Sequence, residues 1–451
     1  MVSPTIPTAI EQLALRAGAM KFDAIPTEIL WQARLCVLDT LGCILAGTRT
    51  EEAALLRTAI PSAEDGKVTG YGSQDRHSIT DAALLHGYLG DVLELNDLIG
   101  GHAGIGNVTA ILAVAEALGS TNGRLLEAVV RGMETTAAVY QSVYPTLRRF
   151  TDCGMVPVGV PSSIGVATAV AHLHQLDDAA TPQAMAMAGA LSGWCPAEVI
   201  FGHGGTLKPM LFGAQPALAG IQAVGYAKCG LTGPLRLLES PLGFCSTAST
   251  AGLLTQDLLA RWALATPRRK LHACCGYIHS AADAARRARA LMVPGGSIEI
   301  RIPPYTADVV AKARAPESSN DARFHLQYCL ALMLSGADAI APEHSIDFAQ
   351  YFARPAIQAL LVSISVIPDE NLNHYEKAVL RIFDANGSTV HTIRQDCPRG
   401  APGQPLTDSE VISKFSRLAE PVLGSHKAKA IIAEVTEGAS DANAAGWLRS
   451  L

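Results

Sequence analysis

Apolar residues recur at three- and four-residue spacing through most of the first 262 positions, separated by short stretches marked by glycine or proline. This pattern predicts helix after helix over residues 5–262, with examples at 26–46, 107–119, 124–143, 162–173 and 206–228. Pro26 stands near the start of the first and Gly47 just past its end, the usual asymmetry of helix termini. Alanine-rich faces with small residues at the same spacing predict close helix–helix packing, and no long strand is expected here. The texture changes after Thr266-Pro267. Ser297–Ile302 alternates as SIEIRI and stops at Pro303-Pro304, as a strand would. A second short strand is expected at 364–367. Ala378–Phe383 and residues 389–394 flank Asp384-Ala385-Asn386-Gly387, where Asn-Gly is a strong hairpin signal. A helix is expected at 278–292, and from Pro405 the helical pattern returns in LTDSEVISKFSRLAEPVL and HKAKAIIAEVTEG.

These elements predict a mainly α protein carrying an α+β lid. Residues 1–265 and 401–451 would form a large helical domain and 266–400 a small α+β domain, with a ligand cleft between them. At 451 residues the chain is long enough for two such units. Hydrophobic residues make up 49% and charged residues only 17%, so much of the chain must be buried in the fold or against a second subunit. The net charge of −6, with no basic block, speaks against a nucleic-acid partner. Apolar runs break before the roughly 18 consecutive residues that a membrane span needs. The start, MVSPTIPTAIEQLALRAG, lacks the basic and apolar regions of a secretory signal, so a cytoplasmic protein is expected. The ten cysteines form no C-x-x-C pair, which predicts reduced core thiols and no structural zinc.

No GxGxxG after a strand, GxxxxGK[ST], HExxH or GxSxG occurs, which weakens nucleotide, zinc-protease and serine-hydrolase readings. The richest stretch is 86–119, HGYLGDVLELNDLIGGHAGIGNVTAILAVAEALG. Apolar positions Tyr88, Leu89, Val92 and Leu95 keep helical spacing on a segment that also carries Asp91, Glu94, Asn96 and Asp97. Gly100-Gly101 then break the chain before His102, and a helix is expected to resume near Asn107. Backbone N–H groups from Gly104 to Val108 would be free at that helix start and could receive a carboxylate. The competing reading is a plain connector with a solvated histidine. Lys208 opens an apolar helix after Gly204-Gly205-Thr206, as a buried cation or as a snorkelling side chain. Lys270 and His279 flank the change of domain, and His203 is a further candidate.

Taken together these segments resemble the MmgE/PrpD family, whose members include 2-methylcitrate dehydratases, cis-aconitate decarboxylases and iminodisuccinate epimerase. WQARLCVLDTLGCILAG, LELNDLIGGHAGIGNVTAILAVAEALG, GMVPVGVPSSIGVATAVAHLHQLD, GGTLKPMLFG, LTGPLRLLESPLGF, KLHACCGYIHSAADAA and ARFHLQYCLALMLSG follow the family's order across nearly the whole chain. The resemblance implies a helical domain, an α+β lid, a homodimer, and proton abstraction beside a carboxylate without cofactor or metal. It places Glu94 and Asp97 at acidic positions, His102 at the loop histidine, and Lys208, Lys270 and His279 at later basic positions. Tyr328 falls in the late Phe-x-x-x-Tyr stretch. The departures also carry information. Val156 and Val158 stand where the family pattern has a histidine and a hydroxyl, Leu98 replaces a threonine, and Asn96 an acid. Leu211 stands where some members carry histidine, and the loop from Asp97 to His102 is shorter than usual.

A cofactor-independent dehydratase or decarboxylase acting on a small, atypical, less charged carboxylate or carbonyl compound is therefore expected. His102 or Lys208 would be the base, and Glu94 and Asp97 would orient His102 or raise its pKa. Lys270, His279, Gly104, Val156, Val158 and Tyr328 would contact the substrate. The alternatives are an epimerase and a non-catalytic binding protein.

Overall fold

The computed structural model describes residues 6–73, 75–202 and 205–451. Two hydrophobic cores organise them. The larger gathers side chains from Ala9 to Ala273 and again from Val411 to Leu451. The smaller is built from Cys274 to Ile393. The protein is mainly helical, with an α+β unit around the second core.

Helices of the larger core start where the sequence supplies caps. Thr8 and Thr407 each close a capping box, with Glu11 and Glu410 respectively. The helix Thr27–Gly47 runs through the centre and packs against Asp408–Leu423, which brings the C-terminal segment beside the first long helix. Thr27–Gly47 is long and apolar enough to cross a membrane by length and composition alone, although Arg34 and Asp39 interrupt its apolar run. However, 78% of its apolar window is buried inside the protein. The helices Asn122–Val143 and Gly159–Leu173 follow their predicted spans within a few residues.

Two departures from periodicity shape the site. The helix Ile79–Asp91 stops short of Leu95, and the chain then turns through Glu94 at φ 53°. Glu94, Asn96 and Asp97 therefore lie in an irregular segment rather than on a helix face. The next helix, Ala103–Leu118, begins four residues before Asn107. The helix expected at 206–228 is broken as well. Pro216 has no N–H to donate one turn back, and Met210–Ala214 wind as a wide π turn ahead of Gln215–Lys228. This turn touches the helix Ile79–Asp91 backbone to backbone. A Cβ on Gly213 would fall 2.1 Å from the carbonyl oxygen of Gly87, so only glycine permits the contact that sets Lys208 against Asp91.

The smaller core lies under a four-stranded sheet. A short antiparallel pair, β1 (Val68–Thr69) and β2 (Arg76–His77), precedes it in the chain. The sheet itself contains β3 (Ser297–Ile302), β4 (Ile364–Pro368), β5 (Ala378–Phe383) and β6 (Thr389–Gln395), in the order β4-β3-β5-β6. β3 pairs in parallel with β4 and antiparallel with β5, which continues into β6 through the Asp384–Gly387 turn. The alternation in SIEIRI buries Ile298, Ile300 and Ile302 on one face. The helix His279–Ala288, shorter than its predicted span, packs on β5 and β6.

Candidate active site

Lys208 is almost fully buried and donates to both carboxylate oxygens of Asp91 at 2.8 Å. It also touches Glu94 Oε1. Lys270 donates to Glu94 Oε2 at 2.9 Å and to the Glu94 carbonyl at 3.0 Å. Two ammonium groups and two carboxylates thus alternate in a row, Asp91, Lys208, Glu94 and Lys270. The Lys270 contacts hold Glu94 in its left-handed backbone conformation, a strained state for a residue other than glycine.

Electrostatics follow from that order. Burial would raise the Glu94 pKa, but Lys208 and Lys270 outweigh it and hold the carboxyl below its usual range. Burial of Asp91, with the neighbouring Glu94 charge, outweighs the Lys208 ammonium and raises its pKa. Burial works against the Lys208 charge, yet Asp91 and Glu94 together push its pKa up. The two carboxylates thus favour the charged form of Lys208.

His102 lies 3.0 Å through Nδ1 from the amide nitrogen of Asn96. Burial first, and then Lys208 and Lys270, drive its pKa well below the ordinary imidazole value, with Glu94 opposing weakly. The expected rise from neighbouring acids does not occur, because the adjacent partner is a neutral amide and two ammonium groups lie close by. Asn96 serves either tautomer. Its nitrogen donates to a bare Nδ1, and the amide turned over would accept from Nδ1–H and leave the Nε2 lone pair free. His102 and Lys208 both approach Phe212, at 5.4 Å between ring centroids and 4.5 Å from the ammonium to the ring centroid. A neutral imidazole and an ammonium thus share one wall.

That wall belongs to a cavity of about 690 Å³ between the two cores, lined by Glu94, His102, Lys208, Val156 and Val158 among others. Its remaining lining includes Tyr140, Tyr144, Tyr277, Tyr305 and Tyr375, none of them singled out by sequence reasoning. Arg268 also lines it, paired with Glu376 and donating to the Tyr375 hydroxyl at 3.1 Å. A larger surface groove of about 1800 Å³ runs along the helix Ala9–Ala19 and holds no member of the Lys208 row. Its Arg131 is paired with Glu127.

Lys270, Asp97, Gly104, His279 and Tyr328 lie off the cavity wall. Asp97 is buried behind the loop, where its Oδ1 accepts from the Ile99 N–H at 2.9 Å and its Oδ2 has no hydrogen-bond partner. Burial and the neighbouring Asp39 push its pKa up to about 7. Asp97 does not contact His102 through a hydrogen bond, so it orients the Ile99 turn instead. Gly104 faces Asp97, and a Cβ there would fall 1.9 Å from Asp97 Oδ2. Its role is to make room for a carboxylate of the chain itself, not for a substrate. His279 is buried, with Nε2 3.2 Å from the Cys274 carbonyl oxygen. Tyr328 is buried in the smaller core and donates to the His344 carbonyl at 2.8 Å. Neither lines the cavity. Lys270 supports Glu94 from behind, and Lys414 supports Lys270. The Lys414 ammonium donates to the Leu95 and Lys270 carbonyls, both at 2.8 Å, and lies 2.7 Å from Asp39 Oδ1. His203 lies outside the described residues.

All ten cysteines are free thiols. Among the described residues no group of three or more His, Cys, Asp or Glu side chains is placed to hold a metal ion.

The MmgE/PrpD N-terminal domain model matches residues 11–256, and the MmgE/PrpD C-terminal domain model matches residues 272–437. A cis-aconitate decarboxylase-like protein, oryM, of Aspergillus oryzae is 23% identical over 458 residues, covering 91% of this chain and 90% of the relative. A cis-aconitate decarboxylase of Aspergillus terreus is 24% identical over 454 residues, covering 92% of this chain and 90% of the relative.

Proposed function

The chain belongs to the MmgE/PrpD family, and from that premise we propose that it is a lyase that removes a proton beside a carboxyl group. The carbanion then expels a β-hydroxyl group, which takes the proton back from the His102 imidazolium and leaves as water, without a resident cofactor. In a decarboxylation the carbanion left by carbon dioxide takes up a proton instead. The observation that carries this reading is that His102 and Lys208 meet at Phe212 on one cavity wall, with burial disfavouring the charged imidazole and Asp91 and Glu94 favouring the ammonium. With the Asn96 amide turned so that its oxygen accepts from Nδ1–H, His102 takes the proton through Nε2. Lys208 stabilises the negative charge that develops on the carboxyl, and Asp91 and Glu94 keep the ammonium charged and aimed. An epimerase would need a second base across the reacting carbon, and an ammonium held between two carboxylates does not supply one at Lys208.

The substrate carries fewer carboxylates than the cis-aconitate named for the Aspergillus terreus relative. Lys208, Lys270 and Arg268 already have carboxylate partners in the protein. Val156 and Val158 offer no donor, and an unmatched buried carboxylate is costly.

The test is deuterium incorporation from heavy water into a panel of mono-, di- and tricarboxylic acids and their monoesters. Exchange or turnover confined to acids with one or two carboxylates supports the proposal. Efficient turnover of cis-aconitate or 2-methylcitrate contradicts its substrate claim, and no exchange with any acid contradicts the lyase.

A further inference from the structure

The cavity that holds Lys208 is also walled by tyrosines that the proton-transfer chemistry does not use. Tyr140, on the helix Asn122–Val143, and Tyr144, in the turn after it, have ring centroids 5.3 Å apart and planes 25° from parallel. Tyr277 and Tyr375 come from the smaller unit, 5.8 Å apart at 54°. Tyr144 meets Tyr375 edge-on at 6.4 Å, so the two pairs close one continuous wall. Tyr305 extends it, edge-on to Tyr277 at 6.1 Å. All five rings are half-buried and line the cavity.

We propose that this wall is an aromatic subsite, and that the substrate is a carboxylic acid bearing an aryl or flat conjugated group. The proposal rests on the lyase reading for the end where the carboxyl sits, and on the tyrosines alone for the other end. Rings presented in both stacked and edge-on attitudes match the two preferred geometries of a further aromatic ring. The cavity volume of about 690 Å³ lies in the range that accommodates a ligand of several ring-sized parts. Charge argues the same way. Arg268, whose guanidinium lies 5.9 Å from the Tyr375 ring centroid, is paired with Glu376 and donates to the Tyr375 hydroxyl. Burial pushes the phenol pKa of Tyr305 up to about 12 and raises those of Tyr140 and Tyr277, so the wall remains uncharged. An uncharged ring wall in the same cavity as Val156 and Val158 favours a hydrocarbon face over a second and third carboxylate.

The experiment measures equilibrium binding of benzylsuccinate, succinate and tricarballylate to the full-length protein by calorimetry. Saturation-transfer NMR on the same samples reads which protons of benzylsuccinate touch the protein. Benzylsuccinate is expected to bind at least about 10-fold more tightly than either other acid, the scale of a buried ring with aromatic partners, and its ring protons should carry the largest transfer. A folded Tyr140→Leu/Tyr277→Leu double variant, matched to the parent in circular dichroism, should lose that preference while binding succinate as before. Equal affinity for the three acids, no measurable benzylsuccinate binding, or a preference that survives in the double variant would overturn the subsite. Aryl preference combined with no deuterium exchange in any acid would leave the subsite standing and remove the lyase. Exchange without aryl preference would do the reverse.

Discussion

Replacing Lys208 with methionine removes one ammonium from a row of two carboxylates and two lysines and leaves a net buried negative charge. Lys208 and Glu94 side chains are each 4% exposed, and Asp91 is fully buried. At 2.8 Å the Lys208–Asp91 attraction is roughly 6 kcal/mol with an effective dielectric of 20. Relief of the lysine's own desolvation offsets part of that loss. The net cost at neutral pH is expected to be about 3–5 kcal/mol, the scale of breaking a buried pair from one side. The penalty should depend on pH in a defined sense. The Asp91 pKa already lies above the ordinary aspartate value of 3.8 in the folded protein, and it rises further when Lys208 is gone. The variant therefore approaches the parent's stability at acid pH, where Asp91 is protonated in both states, and loses ground as pH rises through the folded pKa. Urea unfolding followed by circular dichroism at several pH values between 5 and 8 reads this directly. Adding Asp91→Asn should recover at least half of the lost stability at pH 8 without restoring turnover, since the ammonium is still missing. A cost below about 1 kcal/mol, or a double variant no more stable than the single one, would refute the alternating row.

Asn96→Asp places a carboxylate on His102 Nδ1 and should raise its pKa, so that the acid limb of the kcat/KM profile moves to higher pH. An unmoved limb would remove His102 as the titrating base. Asp97 has a folded pKa of about 7 against an ordinary 3.8, so the stability it confers is full below 3.8 and lost as pH rises towards 7. Asp97→Asn keeps the acceptor for the Ile99 N–H and should flatten that part of the stability–pH curve, as measured by thermal unfolding. Gly104→Ala drives a methyl into Asp97 Oδ2 and should cost about 1–3 kcal/mol. Asp97→Ala in the same chain should relieve most of it, and a neutral Gly104→Ala would contradict the packing role.

The broad architecture was legible in the sequence because periodicity reports burial. SIEIRI became β3 because its isoleucines alternate, and Asp384–Gly387 became a hairpin turn because Asn-Gly favours its backbone. Periodicity misled between Tyr88 and Leu95, where Lys270 holds Glu94 in a turn that local spacing does not encode. Glu94, His102 and Lys208 stood out through motif order, and the structure sets them on one cavity. Asp91 did not, because its partner lies 117 residues away and meets it only through the contact of Gly87 with Gly213. His279, Tyr328 and Asp97 carry polar groups that invite a functional reading. Each instead faces the chain's own backbone, at Cys274, His344 and Ile99. The tyrosine wall was invisible because Tyr140, Tyr277 and Tyr375 come from separate elements, and each looks like ordinary packing in its own segment.

The central claim is that neutral His102 takes a substrate proton beside the Lys208 ammonium. The rate of deuterium uptake from heavy water into the best acid of the panel, compared between the parent and His102→Ala at equal ligand occupancy, tests it most directly. Uptake is predicted to fall by roughly 100-fold or more in His102→Ala, with ligand binding retained. Uptake at the parent rate in His102→Ala would contradict the account.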